Sequence, residues 1–169
     1  MILHQFFVHL KTLTDMSALK PGDPAPPVNA VDQDGEKITL EEFKGKKLVL
    51  YFYPKDQTPG CTAEACDLRD HYEMFLKQGY EIIGVSGDSQ ESHRKFISKN
   101  NLPFKLISDV DKKVMRAYGA WGEKKMYGKS YMGTLRKTFV ISEEGIIERI
   151  IDKVDTKKHS QQIFSDLSY

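Results

Sequence analysis

From Lys47 to Tyr53 the chain reads K-L-V-L-Y-F-Y, an apolar run that stops at Pro54. A strand with one wet face alternates apolar and polar residues, whereas one that is apolar at consecutive positions is buried on both faces. Both faces are covered only when other elements pack on each side, so this run demands a layered chain with the strand near its middle. Glu81 to Ser86 (E-I-I-G-V-S) is a second run of the same kind. Between them Ala65, Leu68, Tyr72, Phe75 and Leu76 recur at helical spacing, which predicts a helix from Thr62 to Gln78 with Gly79 at its C-terminal cap.

The remaining signals extend this pattern. Asp34-Gly35 between Val28–Val31 and Lys37–Leu40 is a hairpin signal. Asp88 with Glu91 predicts a capped helix running to about Asn100. Phe104 to Ile107 reads as a third strand, and Asp109 opens a helix through Tyr118. Thr138–Ile141 and Ile146–Ile151 flank Glu143-Glu144-Gly145 as a second hairpin, and Ile163, Phe164 and Leu167 give Thr156 to Tyr169 the spacing of a closing helix. Strands separated by helices pair in parallel, and a hairpin pairs antiparallel. The expected fold is therefore α/β: a central mixed sheet flanked by helices, with an N-terminal β-hairpin, in a thioredoxin-like arrangement. Active sites of open α/β sheets lie at the carboxyl ends of strands, which points to the turn after Tyr53.

Composition removes other classes. The 169 residues carry 25 Lys plus Arg against 24 Asp plus Glu, and a net charge of +1 gives no overall pull toward nucleic acid or membrane. No window approaches the apolar length of about eighteen residues that a membrane span requires. Two cysteines cannot supply a structural zinc site or a disulfide-built scaffold, and the five histidines offer no ligand spacing, so neither metal nor cofactor is expected. Met1 to Asp15 departs from the rest: Ile2, Leu3, Phe6, Phe7, Val8 and Leu10 are interrupted by His4, Gln5, His9 and Lys11. It fits neither a signal peptide nor a transit peptide and is read as a disordered or upstream-start extension ahead of one domain, 16–169. A cytoplasmic, reducing compartment is the expectation for a thiol pair without an export signal.

The turn after Tyr53 reads Pro54-Lys55-Asp56-Gln57-Thr58-Pro59-Gly60-Cys61 and leads into Thr62-Ala63-Glu64-Ala65-Cys66. Cys61 thus falls in or just before a first helical turn, where unpaired N–H groups and the positive end of the helix dipole favour a thiolate, the nucleophilic form. Thr58 can bring its hydroxyl near the same sulfur, and Pro54 and Pro59 stiffen the loop. Cys66 lies five residues along the helix. Cα atoms at that spacing are roughly 8–9 Å apart in an intact α-helix, whereas a disulfide needs less than about 7 Å. A bond between the two cysteines therefore requires the first helical turns to unwind.

At these residues the chain resembles the peroxiredoxins. Their loop signature, Pro-x-x-x-Thr/Ser-x-x-Cys, is met at Pro54, Thr58 and Cys61. Arg136 in L-R-K-T-F-V-I matches the family's distant arginine, and Glu64 matches its acidic partner. T-P-G-C-T-A-E-A-C and the Trp121 to Gly128 segment are similar to the bacterioferritin comigratory protein (PrxQ) subfamily. The resemblance implies a thiol-dependent peroxidase for hydrogen peroxide and organic hydroperoxides. Cys61 would become a sulfenic acid, Arg136 and Thr58 would hold the thiolate and polarise the O–O bond, and Glu64 would orient Arg136. Cys66 would then close an intramolecular disulfide, which thioredoxin or a similar dithiol reduces. A monomer is expected, since resolution needs no second chain.

Two rivals are weaker. A thioredoxin-type disulfide reductase wants Cys-x-x-Cys at the helix start, and position 64 is Glu. Between Arg116 and Lys137 six basic residues are interleaved with Tyr118, Trp121, Tyr127 and Tyr131, the makings of a single-stranded nucleic-acid platform. The balanced charge of the whole chain opposes that reading. His71 and His93 read as ordinary helix-face residues.

Overall fold

The computed structural model describes residues 18–165; the N-terminal extension and Leu167 lie outside them. In chain order the elements are β1 (Asn29–Val31), β2 (Lys37–Thr39), a 3-10 turn (Leu40–Phe43), β3 (Lys47–Phe52), α1 (Pro59–Asp70), α2 (Tyr72–Lys77), β4 (Tyr80–Ser86), α3 (Gln90–Asn100), β5 (Lys105–Ser108), α4 (Lys113–Ala117), β6 (Trp121–Met126), β7 (Lys129–Thr134), β8 (Lys137–Ile141), β9 (Ile147–Ile151) and α5 (His159–Ser165). The main sheet runs β5-β4-β3-β8-β9. Strands β3, β4 and β5 are parallel, and β8 and β9 join antiparallel. The sheet is mixed with β3 at its centre, as the unbroken apolar run requires.

Because side chains alternate across a strand, that run feeds two cores at once. Leu48, Leu50 and Phe52 pack on one face with Ile83, Val85, Ile107, Tyr118 and Phe139. Val49, Tyr51 and Tyr53 pack on the other with Cys61, Ala65, Leu68, Ile82, Phe96 and Val140. Helix α1 is thus held on the second face with its cysteine turned inward.

The expected Thr62–Gln78 helix is two helices. The His71 ring nitrogen Nδ1 donates to the Asp67 carbonyl at 2.8 Å, while the His71 backbone N–H turns to Arg69. The side chain thus takes the acceptor that a continuing helix would give its own backbone, and the chain restarts as α2. Helix α3 is capped by Ser89, whose hydroxyl oxygen accepts from the Ser92 N–H. Asp88 is drawn away to accept from the Asp56 N–H at 2.9 Å and the Ser86 hydroxyl at 2.6 Å. Asp109 does open α4, though from a distance: its carboxylate accepts from the N–H groups of Val114 and Met115. The basic, aromatic segment forms an antiparallel hairpin, β6–β7, turned at Tyr127-Gly128, both with positive φ.

Candidate active site

The end of β3 fixes the loop that carries the cysteine. The Tyr53 N–H makes a last ladder bond to the Val85 carbonyl, and Pro54, lacking an N–H, ends the pairing. Thr58 is the N-cap of α1 and Pro59 and Gly60 are its first two residues, so Cys61 stands third, among the N–H groups that have no intrahelical acceptor. Its side chain is 1% exposed.

Arg136 reaches this point through sheet register. Phe52 pairs with Lys137 across β3 and β8, which sets Arg136 beside the start of the cysteine loop. Its Nη2 donates to Cys61 Sγ at 3.2 Å and its Nη1 to Glu64 Oε1 at 2.8 Å. A Cβ at Gly60 would lie 3.4 Å from that Nη2, so glycine lets the guanidinium settle over the helix start. Glu64 follows Cys61 by three residues, on the same helix face, and is fully buried. Burial pushes its carboxyl up to about 7, against the pull of Arg136. Burial also weighs against the Arg136 charge, but Glu64 and Cys61 outweigh it and raise the guanidinium above its ordinary value.

Behind Glu64 lies α5. The second carboxylate oxygen, Oε2, has no hydrogen-bond partner among the described residues and sits 3.7 Å from His159 Nε2. That nitrogen is paired with the Thr138 hydroxyl at 2.8 Å, and burial lowers the His159 ring from its ordinary value. Cys66 sits in a different setting. It is half-buried, and its Sγ donates to Asn100 Oδ1 on α3 at 3.7 Å. Both cysteines are free thiols within one unbroken helix.

A buried cysteine sulfur, a guanidinium donating to it and a carboxylate fixing that guanidinium form a site for accepting negative charge at sulfur. Comparison with known proteins gives this arrangement a family. The AhpC/TSA family model matches residues 21–150. Peroxiredoxin Bcp of Bacillus subtilis is 48% identical over 146 residues, covering 86% of this chain and 93% of that protein. Peroxiredoxin Bcp of Escherichia coli is 42% identical over 150 residues, covering 89% and 96%.

The chain belongs to the AhpC/TSA family.

Solved structures agree. The Xanthomonas campestris bacterioferritin comigratory protein, described for its alkyl peroxide reduction activity, aligns with a TM-score of 0.78 at 39% identity, covering 83% of this chain and 89% of that one. Peroxidoxin BcpB of Mycobacterium tuberculosis aligns at 0.77 and 29% identity, covering 88% and 96%. The chain is a peroxiredoxin of the bacterioferritin comigratory protein type, with the thioredoxin-like fold of that family. It is a thiol-dependent peroxidase, an oxidoreductase whose substrates are a peroxide and a reducing thiol.

Within this peroxiredoxin, Cys61, Glu64 and Arg136 converge as the sequence suggested. Thr58 is placed beside them, but its hydroxyl donates to the Lys55 carbonyl at 2.8 Å, fastening the loop, and makes no bond to sulfur. Cys66 faces away from Cys61, toward α3.

Sequence reasoning missed the strut beneath the loop. Asp56 is buried and takes four hydrogen bonds. Its carboxylate accepts from the Tyr53 hydroxyl at 2.6 Å, the Ser92 hydroxyl at 2.8 Å and His93 Nδ1 at 2.7 Å, and its N–H donates to Asp88. His93, read as a helix-face residue, is fully buried, with Nε2 donating to the Ile107 carbonyl. Asp56, Asp88 and His93 bring donor atoms within 4.8 Å of one another, yet each is already engaged by a neighbouring side chain or N–H. The cluster is a brace between the loop and α3. Asp88 with Glu91 signalled a cap for α3; nothing in the sequence signalled a bond from Asp56 to a histidine on that helix.

Proposed function

We propose that Cys61 is the peroxide-reducing nucleophile and Cys66 the resolving thiol. The Cys61 thiolate attacks one peroxide oxygen, the O–O bond breaks, and water or an alcohol leaves as sulfenic acid forms on sulfur. Arg136 stabilises the thiolate and the charge moving onto the departing oxygen, an oxyanion-hole role. Glu64 holds the guanidinium in that orientation. Thr58, its hydrogen already given to Lys55, presents lone pairs and can accept a proton shared by the incoming peroxide. Pro54 ends the strand and, with the Asp56 brace, fixes the loop. One observation carries this reading: a single guanidinium bridges Cys61 Sγ at 3.2 Å and the buried Glu64 carboxylate at 2.8 Å.

Hydrogen peroxide and organic hydroperoxides are the proposed substrates. The Cys61–Cys66 disulfide is reduced by thioredoxin or a similar dithiol in a reducing, cytoplasmic setting. The enzyme acts as a monomer, because both cysteines lie on one helix.

The test is the intact mass of the reduced protein after one equivalent of hydrogen peroxide, repeated on Cys66→Ser. Loss of two hydrogens in the wild type and gain of one oxygen in the variant are expected. An unchanged mass in both would reject Cys61 as the nucleophile.

A further inference from the structure

We infer that Asn100, the last residue of α3, is a positioning residue for disulfide closure: it accepts the hydrogen of the Cys66 thiol and holds that side chain turned onto α3, and its release sets how fast the disulfide forms. This rests on the reading of Cys66 as the resolving thiol.

The orientation of the Asn100 amide follows from its partners. Its Nδ2 donates to the Phe96 carbonyl at 3.1 Å. A carbonyl can only accept, so the NH₂ group must face Phe96, and the amide oxygen faces Cys66. An amide oxygen can only accept as well. The 3.7 Å contact to Cys66 Sγ is therefore an S–H donation, available to the thiol and not to the thiolate that must attack. Asn100 thus stabilises the waiting form of Cys66 and has to be abandoned before resolution.

The same residue ties α1 to α3 a second way. The Asn100 carbonyl is one of the groups left without an intrahelical donor at the end of α3. Arg69 Nη1, three residues after Cys66, donates to it at 2.7 Å, placing a cation at the helix's negative end. On the other side of α1, Asp67 Oδ2 accepts from the Ser160 N–H of α5 at 2.7 Å. Residues 67 and 69 are thus fastened to two neighbouring helices just beyond Cys66. Unwinding that carries Cys66 to Cys61 can leave both fastenings intact only if it stops at Cys66. The Asn100 amide is the tie on the moving side of that boundary, and Arg69 is the tie on the fixed side.

In the closure step the Cys66 thiol gives up its proton, its sulfur attacks the sulfenic sulfur of Cys61, and the S–O bond breaks. Hydroxide leaves and takes the proton as water. In the competing fate a second peroxide oxidises the sulfenic acid to sulfinic acid. Slow closure favours the second fate.

Rapid mixing with hydrogen peroxide, quenched and read by intact mass, separates sulfenic acid formation from disulfide formation. Asn100→Ala should leave the first rate unchanged and raise the second about tenfold, the scale of one lost hydrogen bond. Its sulfinic fraction under excess peroxide should fall. In a Cys61→Ser background, Asn100→Ala should also speed alkylation of Cys66, a readout independent of turnover. Arg69→Met should accelerate closure less, because it loosens the fixed side of the boundary. Closure at the wild-type rate or slower in Asn100→Ala, with normal peroxide attack, would overturn the proposal alone. A wild-type protein that forms no sulfenic acid would remove the peroxidase reading and the proposal with it.

Discussion

Two sulfurs five residues apart on one helix occupy opposite hydrogen-bonding worlds. Cys61 Sγ accepts from a guanidinium inside the core, while the half-buried Cys66 Sγ donates to an amide oxygen. An accepting sulfur is set up to carry negative charge, and a donating one must hold its proton. One helix thereby keeps two thiols apart by the polarity of a single contact each. Helical spacing adds the second separation, since the intact helix holds the pair beyond disulfide reach.

The contrast is easiest to break at Cys61. Cys61→Ser removes the proposed nucleophile, so thiol-dependent peroxide consumption should fall to background; retained turnover in a coupled assay would assign the chemistry to Cys66 instead. Arg136→Ala removes the donor that distinguishes the two sulfurs. Peroxide attack should slow by about 10²–10³, the cost of a lost oxyanion donor, and an unaltered second-order rate constant would take Arg136 out of the site.

A smaller effect concerns Glu64, whose carboxyl is pushed up to about 7 by burial. A group with a raised folded-state pKa favours the fold most at low pH and loses that contribution as pH rises through the folded value. Thermal melts of wild type and Glu64→Gln should therefore diverge between about pH 4.5 and pH 7, the wild type losing ground to the variant as pH increases. A Tm difference constant across that window would show that Glu64 does not titrate there.

How far the sequence anticipated this depends on whether a feature is local. The apolar run in β3 announced a buried central strand because both of its faces meet a core, and the proline-framed cysteine loop announced a helix start. Features made by partners distant in the chain were invisible unless the family resemblance pointed to them, as it did for Arg136 and Cys61, 75 residues apart. Asp56 and His93 are 37 residues apart, and nothing near either residue betrays their bond. The break at His71 was hidden because apolar spacing continues from Leu68 through Tyr72 and Phe75, while a histidine ring takes over one carbonyl. The β6–β7 hairpin escaped because its strands are mostly exposed, lack a buried alternating face, and turn on Tyr-Gly in place of the usual Asn-Gly.

The central claim is that the reduced enzyme needs α1 whole and the oxidised enzyme needs its first turns undone. Hydrogen exchange across Thr62 to Asp70, measured in the dithiol and disulfide forms, tests it most directly. Faster exchange from Thr62 through Asp70 in the disulfide form is the predicted result, because unwinding the turns up to Cys66 also takes the carbonyl acceptors from the four N–H groups that follow. Equal protection in both redox states would contradict it.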